Sequence, residues 1–135
     1  MHDIAINWLA LIVAALARMI LGAVWYSPAV LLKPWLAAAG ITEAQMKTRF
    51  PKALVADVVG SLLMAFALAH LVKFAGAESV GYGAGFGFLT WLSFIAVTTF
   101  SATLYEHRPI KLWLIGNSYH AIALMIMGAI LAAWP

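Results

Sequence analysis

The sequence predicts an all-α fold: a polytopic transmembrane bundle of four helices with a short interfacial helix in the first loop. Three observations carry that expectation. The 135-residue chain is 65% hydrophobic and only 10% charged, whereas a soluble domain carries about a quarter charged residues. Its apolar residues gather into four blocks, about residues 4–27, 53–74, 81–104 and 111–134, and roughly 20 helical residues suffice to cross a hydrocarbon core of about 30 Å. None of the blocks shows a polar stripe at helical spacing, and helices that are apolar all round belong in deep cores or membranes. Residues 1–135 are therefore read as one transmembrane domain.

The first block follows Met1, His2 and Asp3 without a basic leader and closes on Trp25-Tyr26-Ser27-Pro28, the pattern of a retained helix rather than a cleaved signal peptide. Loop one has room for structure outside the bilayer. Thr42 followed by Gln45 fits a capping box, Gly40 and Pro51 punctuate the ends, and Leu36, Met46 and Phe50 suit a membrane surface; together these predict a short interfacial helix over 43–50 that serves as a connector. Loops two and three are short, which predicts that consecutive helices are antiparallel neighbours. The third block opens with Gly81, Gly83, Gly85 and Gly87, but Phe86 and Phe88 stand where a dinucleotide fingerprint would need its third glycine. Glycines four apart predict close helix packing instead. Trp8, Trp25, Trp113 and Trp134 fall near block ends, where an amphipathic ring sits at headgroup level, and Trp91 lies inside block three. An Asn, a Gly-Ala pair and a Trp shared by blocks one and four are too common in membrane helices to make a repeat.

The net charge of +3 comes from Lys and Arg placed between the blocks, without a continuous stripe. That is an orientation signal and excludes a nucleic-acid footprint. Loop one carries Lys33, Lys47, Arg49 and Lys52 and loop three carries Arg108 and Lys111, against Lys73 alone on the opposite side. The expected topology puts loops one and three in the cytoplasm and both termini outside. Cysteine is absent, which removes disulfides and thiolate metal sites.

Asn7-Trp8, Gly22 with Trp25-Tyr26-Ser27-Pro28, Gly87-Phe88-Leu89-Thr90-Trp91, Lys111-Leu112 and Met127-Gly128-Ala129 resemble one bacterial family of small membrane proteins, domain of unknown function 1761. The resemblance covers nearly the whole chain, with Trp-Tyr-Ser-Pro as its most specific part. It implies a four-helix protein of the bacterial inner membrane and no particular activity. Arg18 departs from the small or apolar residue that the resemblance implies there, which makes a site built on it particular to this chain.

Polar residues at membrane depth are costly and mark either a site or a structural pair. With the cytoplasmic boundary at residues 27, 53, 105 and 111 and about 1.5 Å per residue, Asp57 lies about 6 Å deep, Thr98, Thr99 and Asn117 about 9–11 Å, and Arg18 and His120 about 13 Å. All six are expected to converge. Asn117 and His120, three apart, are expected to share a helix face, and Arg18 projects from a stripe formed with Asn7, Leu11, Ala14, Gly22 and Trp25. Pairing Arg18 with Asp57 avoids an isolated charge in lipid. Two readings of the cluster stand open: an interhelix clamp, or a cavity binding an anion or small polar molecule with Arg18 and His120 as donors. No cofactor or metal is expected. Haem ligation by His70 and His120 would need both at one depth, and they differ by about 12 Å along the membrane normal. The ranking of functions is an oligomeric transport or channel protein, then an accessory subunit of a larger complex, then an intramembrane enzyme. A homodimer or higher homo-oligomer in the lipid bilayer is expected, because four helices enclose little volume.

Overall fold

The computed structural model describes residues 4–135; Met1, His2 and Asp3, read above as preceding the first helix, lie outside the described residues. Helix α1 (Trp8–Trp25) starts at Asn7, whose side-chain oxygen accepts from the Ala10 N–H at 3.1 Å and so satisfies a donor that every helix start leaves free. The amide of Asn7 also donates to the Trp134 and Pro135 carbonyls at 3.4 and 3.3 Å, tying the start of α1 to the end of the chain.

At the other end of α1 the Trp-Tyr-Ser-Pro element makes a knot. Trp25 Nε1 donates to the Ile115 carbonyl at 3.0 Å, and the Ser27 hydroxyl returns to the Val24 carbonyl at 2.7 Å. The Ser27 carbonyl accepts from the N–H groups of both Val30 and Leu32. The knot leads into α2 (Leu32–Ala39), a short helix in loop one that ends at Gly40, where φ is +70°. A side chain at that backbone conformation would be strained.

Helix α3 (Glu43–Phe74) opens with the expected capping box, Gln45 N–H to Thr42 Oγ1 at 3.2 Å and Thr42 N–H to Gln45 Oε1 at 3.0 Å. It does not stop at Pro51. The stretch 43–50, expected as a separate interfacial helix, is the beginning of a 32-residue helix that runs on through the second span. Proline removes one hydrogen bond and crowds the carbonyl four residues back, but Pro51 and its neighbours are exposed, so the freed carbonyl of Lys47 has room around it, and helix formers continue on both sides.

The third span, Val80–Tyr105, consists of α4 (Val80–Thr90), a π-helical segment Trp91–Ala96, and α5 (Val97–Tyr105). Helix α6 (Ile110–Ala133) follows a tight loop. Among the described residues four helices are thus long and apolar enough to cross a bilayer: α1, α3, Val80–Tyr105 and α6. Half of the most apolar 18-residue stretch of α6 is buried, against 17–28% of the corresponding stretches of the other spans, which makes α6 the centre. It packs against α1, α3 and α4, whereas α3 and α4 barely touch although a short loop joins them. The expectation that consecutive spans are neighbours fails at that loop. The partner of α4 is α6 instead, where a Cβ at Gly83 would collide with the Gly128 carbonyl and one at Gly87 with the Leu124 carbonyl. Backbone meets backbone there, and that close approach holds α4 to α6. Gly81 and Gly85, on the other side of α4, face open space.

Candidate functional site

Arg18 leaves α1 on the side of its buried residues Ala10, Leu11, Ala14 and Ala15, of which the three alanines let α1 close on its neighbours. The arginine is itself only 6% exposed. Its Nη1 lies 3.2 Å from Asp57 Oδ1 and 2.6 Å from Ser61 Oγ. Asp57 and Ser61 are four residues apart on α3, so they present both acceptors from one helix face. From α6, the Tyr119 hydroxyl donates to the Arg18 carbonyl at 2.9 Å, and its ring centroid is 5.5 Å from the guanidinium carbon, a cation–π distance. Gly22 makes that approach possible, since a Cβ there would press on the Tyr119 hydroxyl at 3.0 Å. Arg18 Nε and His120 Nδ1 are buried without a hydrogen-bond partner among the described residues.

The other polar residues form a separate cluster between the third span and α6. Asn117 Oδ1 accepts from Trp91 Nε1 at 3.1 Å and lies 3.3 Å from the Thr99 hydroxyl. Thr99 Oγ1 in turn accepts from Trp113 Nε1 at 3.0 Å and donates to the Ile95 carbonyl at 2.6 Å. Trp25 and Trp113, expected at headgroup level, therefore spend their indole N–H groups on other helices. Thr98 points away: it is exposed, and its hydroxyl bonds the Phe94 carbonyl at 2.8 Å. The six residues expected to converge thus divide. Arg18 and Asp57 pair, Thr99 and Asn117 pair, Thr98 joins neither, and His120 lies with its ring 5.1 Å from that of Tyr119. Asn117 and His120 do not share a task despite their spacing, because Asn117 is turned to Trp91. His70 bonds the Phe66 carbonyl one turn back at 2.8 Å, far from this region.

Beside the arginine the helices leave a gap. From Glu43 to Asp57 nearly every residue of α3 is exposed, so this half of the helix stands off from the bundle and borders, with the end of α1 and with α2, a half-open cavity of about 690 Å³. That volume suits a drug-sized molecule. Met19, Met46 and Leu54 supply apolar wall, Trp35 and Phe50 aromatic wall, and Asp57 a carboxylate. Tyr26 stands between Trp35 and Tyr119, edge-on to each with centroids 5.7 Å apart.

Ser61, Tyr119, Tyr26 and Trp35 were not singled out in the sequence as site residues. Ser61 was within reach, one turn beyond Asp57 on the same face. Tyr26 carries a local mark, the Trp-Tyr-Ser-Pro element, whereas nothing local marks Tyr119 and Trp35, whose roles depend on which helix lies opposite.

The family model described as "Protein of unknown function (DUF1761)" matches residues 9–132, and the chain belongs to that family. No curated protein and no solved structure matches it. The matched stretch contains the Arg18 cluster, the Asn117 cluster and every residue lining the cavity.

Proposed function

We propose that this member of the family is a small transport-type membrane protein that binds its ligand in the cavity between α1, α2 and the first half of α3. One observation carries the reading: the Asp57 carboxylate, half exposed at the cavity while its Oδ1 is held by the buried Arg18. A clamp alone has no need of an open carboxylate beside an apolar space, since buried ion pairs are often replaceable by hydrophobic residues. Clamping describes the other cluster better, because Asn117 and Thr99 are occupied by two indoles and a backbone carbonyl.

The anion anticipated from Arg18 finds little support, as no cationic side chain lines the cavity among the described residues. With loops one and three in the cytoplasm, the cavity belongs to the cytoplasmic half of a bacterial inner-membrane protein. Four helices enclose too little for a pathway, so transport calls for a homo-oligomer with the pathway between protomers.

A ligand screen by thermal shift in lipid nanodiscs tests the site. Binders are expected to raise the melting temperature of the wild type and not of Ala53→Trp, which fills the cavity from an exposed position of its lining. Equal shifts in both proteins would remove the cavity from the proposal. A monomeric mass by native mass spectrometry under lipid-retaining conditions would remove transport between protomers.

A further inference from the structure

Resting on the reading of the cavity as a ligand site, we propose that its ligand is a lipophilic cation: an ammonium, phosphonium or similar positive centre carried on an apolar or aromatic body. The charges around the cavity select the sign. Asp57 and Glu43 line it, and neither Lys nor Arg does. Arg18 is the nearest cation to Asp57, but it is 6% exposed and engaged by Ser61 and by Asp57 Oδ1. The pair is therefore a dipole with its negative end at the cavity. Lys47 lies 3.6 Å from Glu43 but is outside the lining, and with side chains 73% and 55% exposed water and salt weaken both charges, so Asp57 sets the sign and Glu43 adds to it.

The walls select the body of the ligand. Tyr26, Trp35, Phe50 and Tyr119 bring four aromatic rings to a space whose other walls are mostly methionine, leucine and small residues. Aromatic faces attract cations, and thioethers adapt to irregular apolar shapes. A small hydrated cation would waste the apolar wall, and a neutral hydrocarbon would leave the carboxylate without a partner. A positive centre at Asp57 with its apolar substituents against Trp35, Phe50 and Met46 uses both. A phospholipid amine headgroup offers the same ammonium chemistry as a soluble amine, so the source of the cation is a matter for the test.

Three probes of one shape separate the possibilities: tetraphenylphosphonium, tetraphenylborate and neutral tetraphenylsilane. They are titrated against the protein in nanodiscs of digalactosyldiacylglycerol, a lipid whose headgroup carries no charge and no amine, with binding to empty nanodiscs subtracted. The phosphonium is expected to bind at least tenfold more tightly than the other two. Asp57→Asn is expected to remove most of that preference, and Glu43→Gln, which leaves the Arg18 pair untouched, to weaken it severalfold. The Glu43→Gln result stands even where Asp57→Asn fails to fold. Binding of all three probes with equal strength, or of the borate most tightly, would overturn the cation inference and leave the cavity as a ligand site. Absence of binding by every probe would overturn both. Displacement of the phosphonium on adding phosphatidylethanolamine, but not phosphatidylglycerol, to the nanodiscs would support the inference with a lipid amine as the source. Displacement by soluble aromatic amines alone would support it with a free solute.

Discussion

Arg18 Nη1 stands 3.2 Å from Asp57 Oδ1, and the two partners live in different surroundings: the guanidinium side chain is 7% exposed and the carboxylate 53%. Their loss should therefore have unequal effects. Asp57→Leu strands a buried cation with Ser61 as its remaining hydrogen-bond partner, and should destabilise by about 3–5 kcal/mol. Arg18→Leu leaves a carboxylate that is already half open, so it should cost visibly less, and the double substitution should recover much of what Asp57→Leu loses. Unfolding of the three variants in a detergent–denaturant series measures the differences. Equal losses from the two single changes would contradict the asymmetry.

The glycines of α4 divide by face, which yields a paired expectation. Gly87→Ala places a methyl group into the Leu124 carbonyl and should destabilise by about 1–3 kcal/mol through forced separation of α4 and α6. Gly85→Ala, facing open space, should be neutral or gain up to about 1 kcal/mol from helix propensity. Thermal melts of the two proteins decide it, and a larger loss for Gly85→Ala would mean that the faces of α4 are assigned the wrong way round.

Asn117 supplies the acceptor for Trp91 Nε1. Asn117→Leu should cost about 1–3 kcal/mol, since it leaves an indole donor without its partner. Thr98→Val, whose hydroxyl only returns to its own helix, should stay within about 0.5 kcal/mol of the wild type. Chemical unfolding followed by tryptophan fluorescence reports on both, and a Thr98→Val loss as large as that of Asn117→Leu would place Thr98 back in the cluster.

Topology is open to a direct measurement, helped by the absence of native cysteine. Single cysteines at the exposed positions Ala44→Cys in α3 and Glu78→Cys in loop two should respond oppositely to a membrane-impermeant thiol reagent in intact cells. The positive-charge bias of loops one and three predicts protection at 44 and labelling at 78. The reverse pattern would invert the orientation and put the cavity on the outer side.

Much of the fold was legible because its causes are local. Four apolar blocks, the capping box of Thr42 and Gln45, the break at Gly40 and the scarcity that pairs Arg18 with Asp57 need only neighbouring residues and the cost of burying charge. The site was legible in its charged half alone. Thr98 and Thr99 are adjacent, and a helix turns about 100° per residue, so depth alone could not say that one meets Asn117 while the other faces outward.

What the sequence by itself determined is that this chain crosses a bilayer as four helices and must satisfy a buried arginine. The tertiary structure alone decided that α6 is the centre, that α3 and α4 part company, that Gly83 and Gly87 face inward, and that the first half of α3 stands off to leave a cavity beside Asp57. The reason lies in the solvent. A helix in lipid is apolar on every side, so its sequence carries no hydrophobic direction to say which face turns inward. Close backbone packing and a few interhelix hydrogen bonds make that choice, and they exist only once the helices have met.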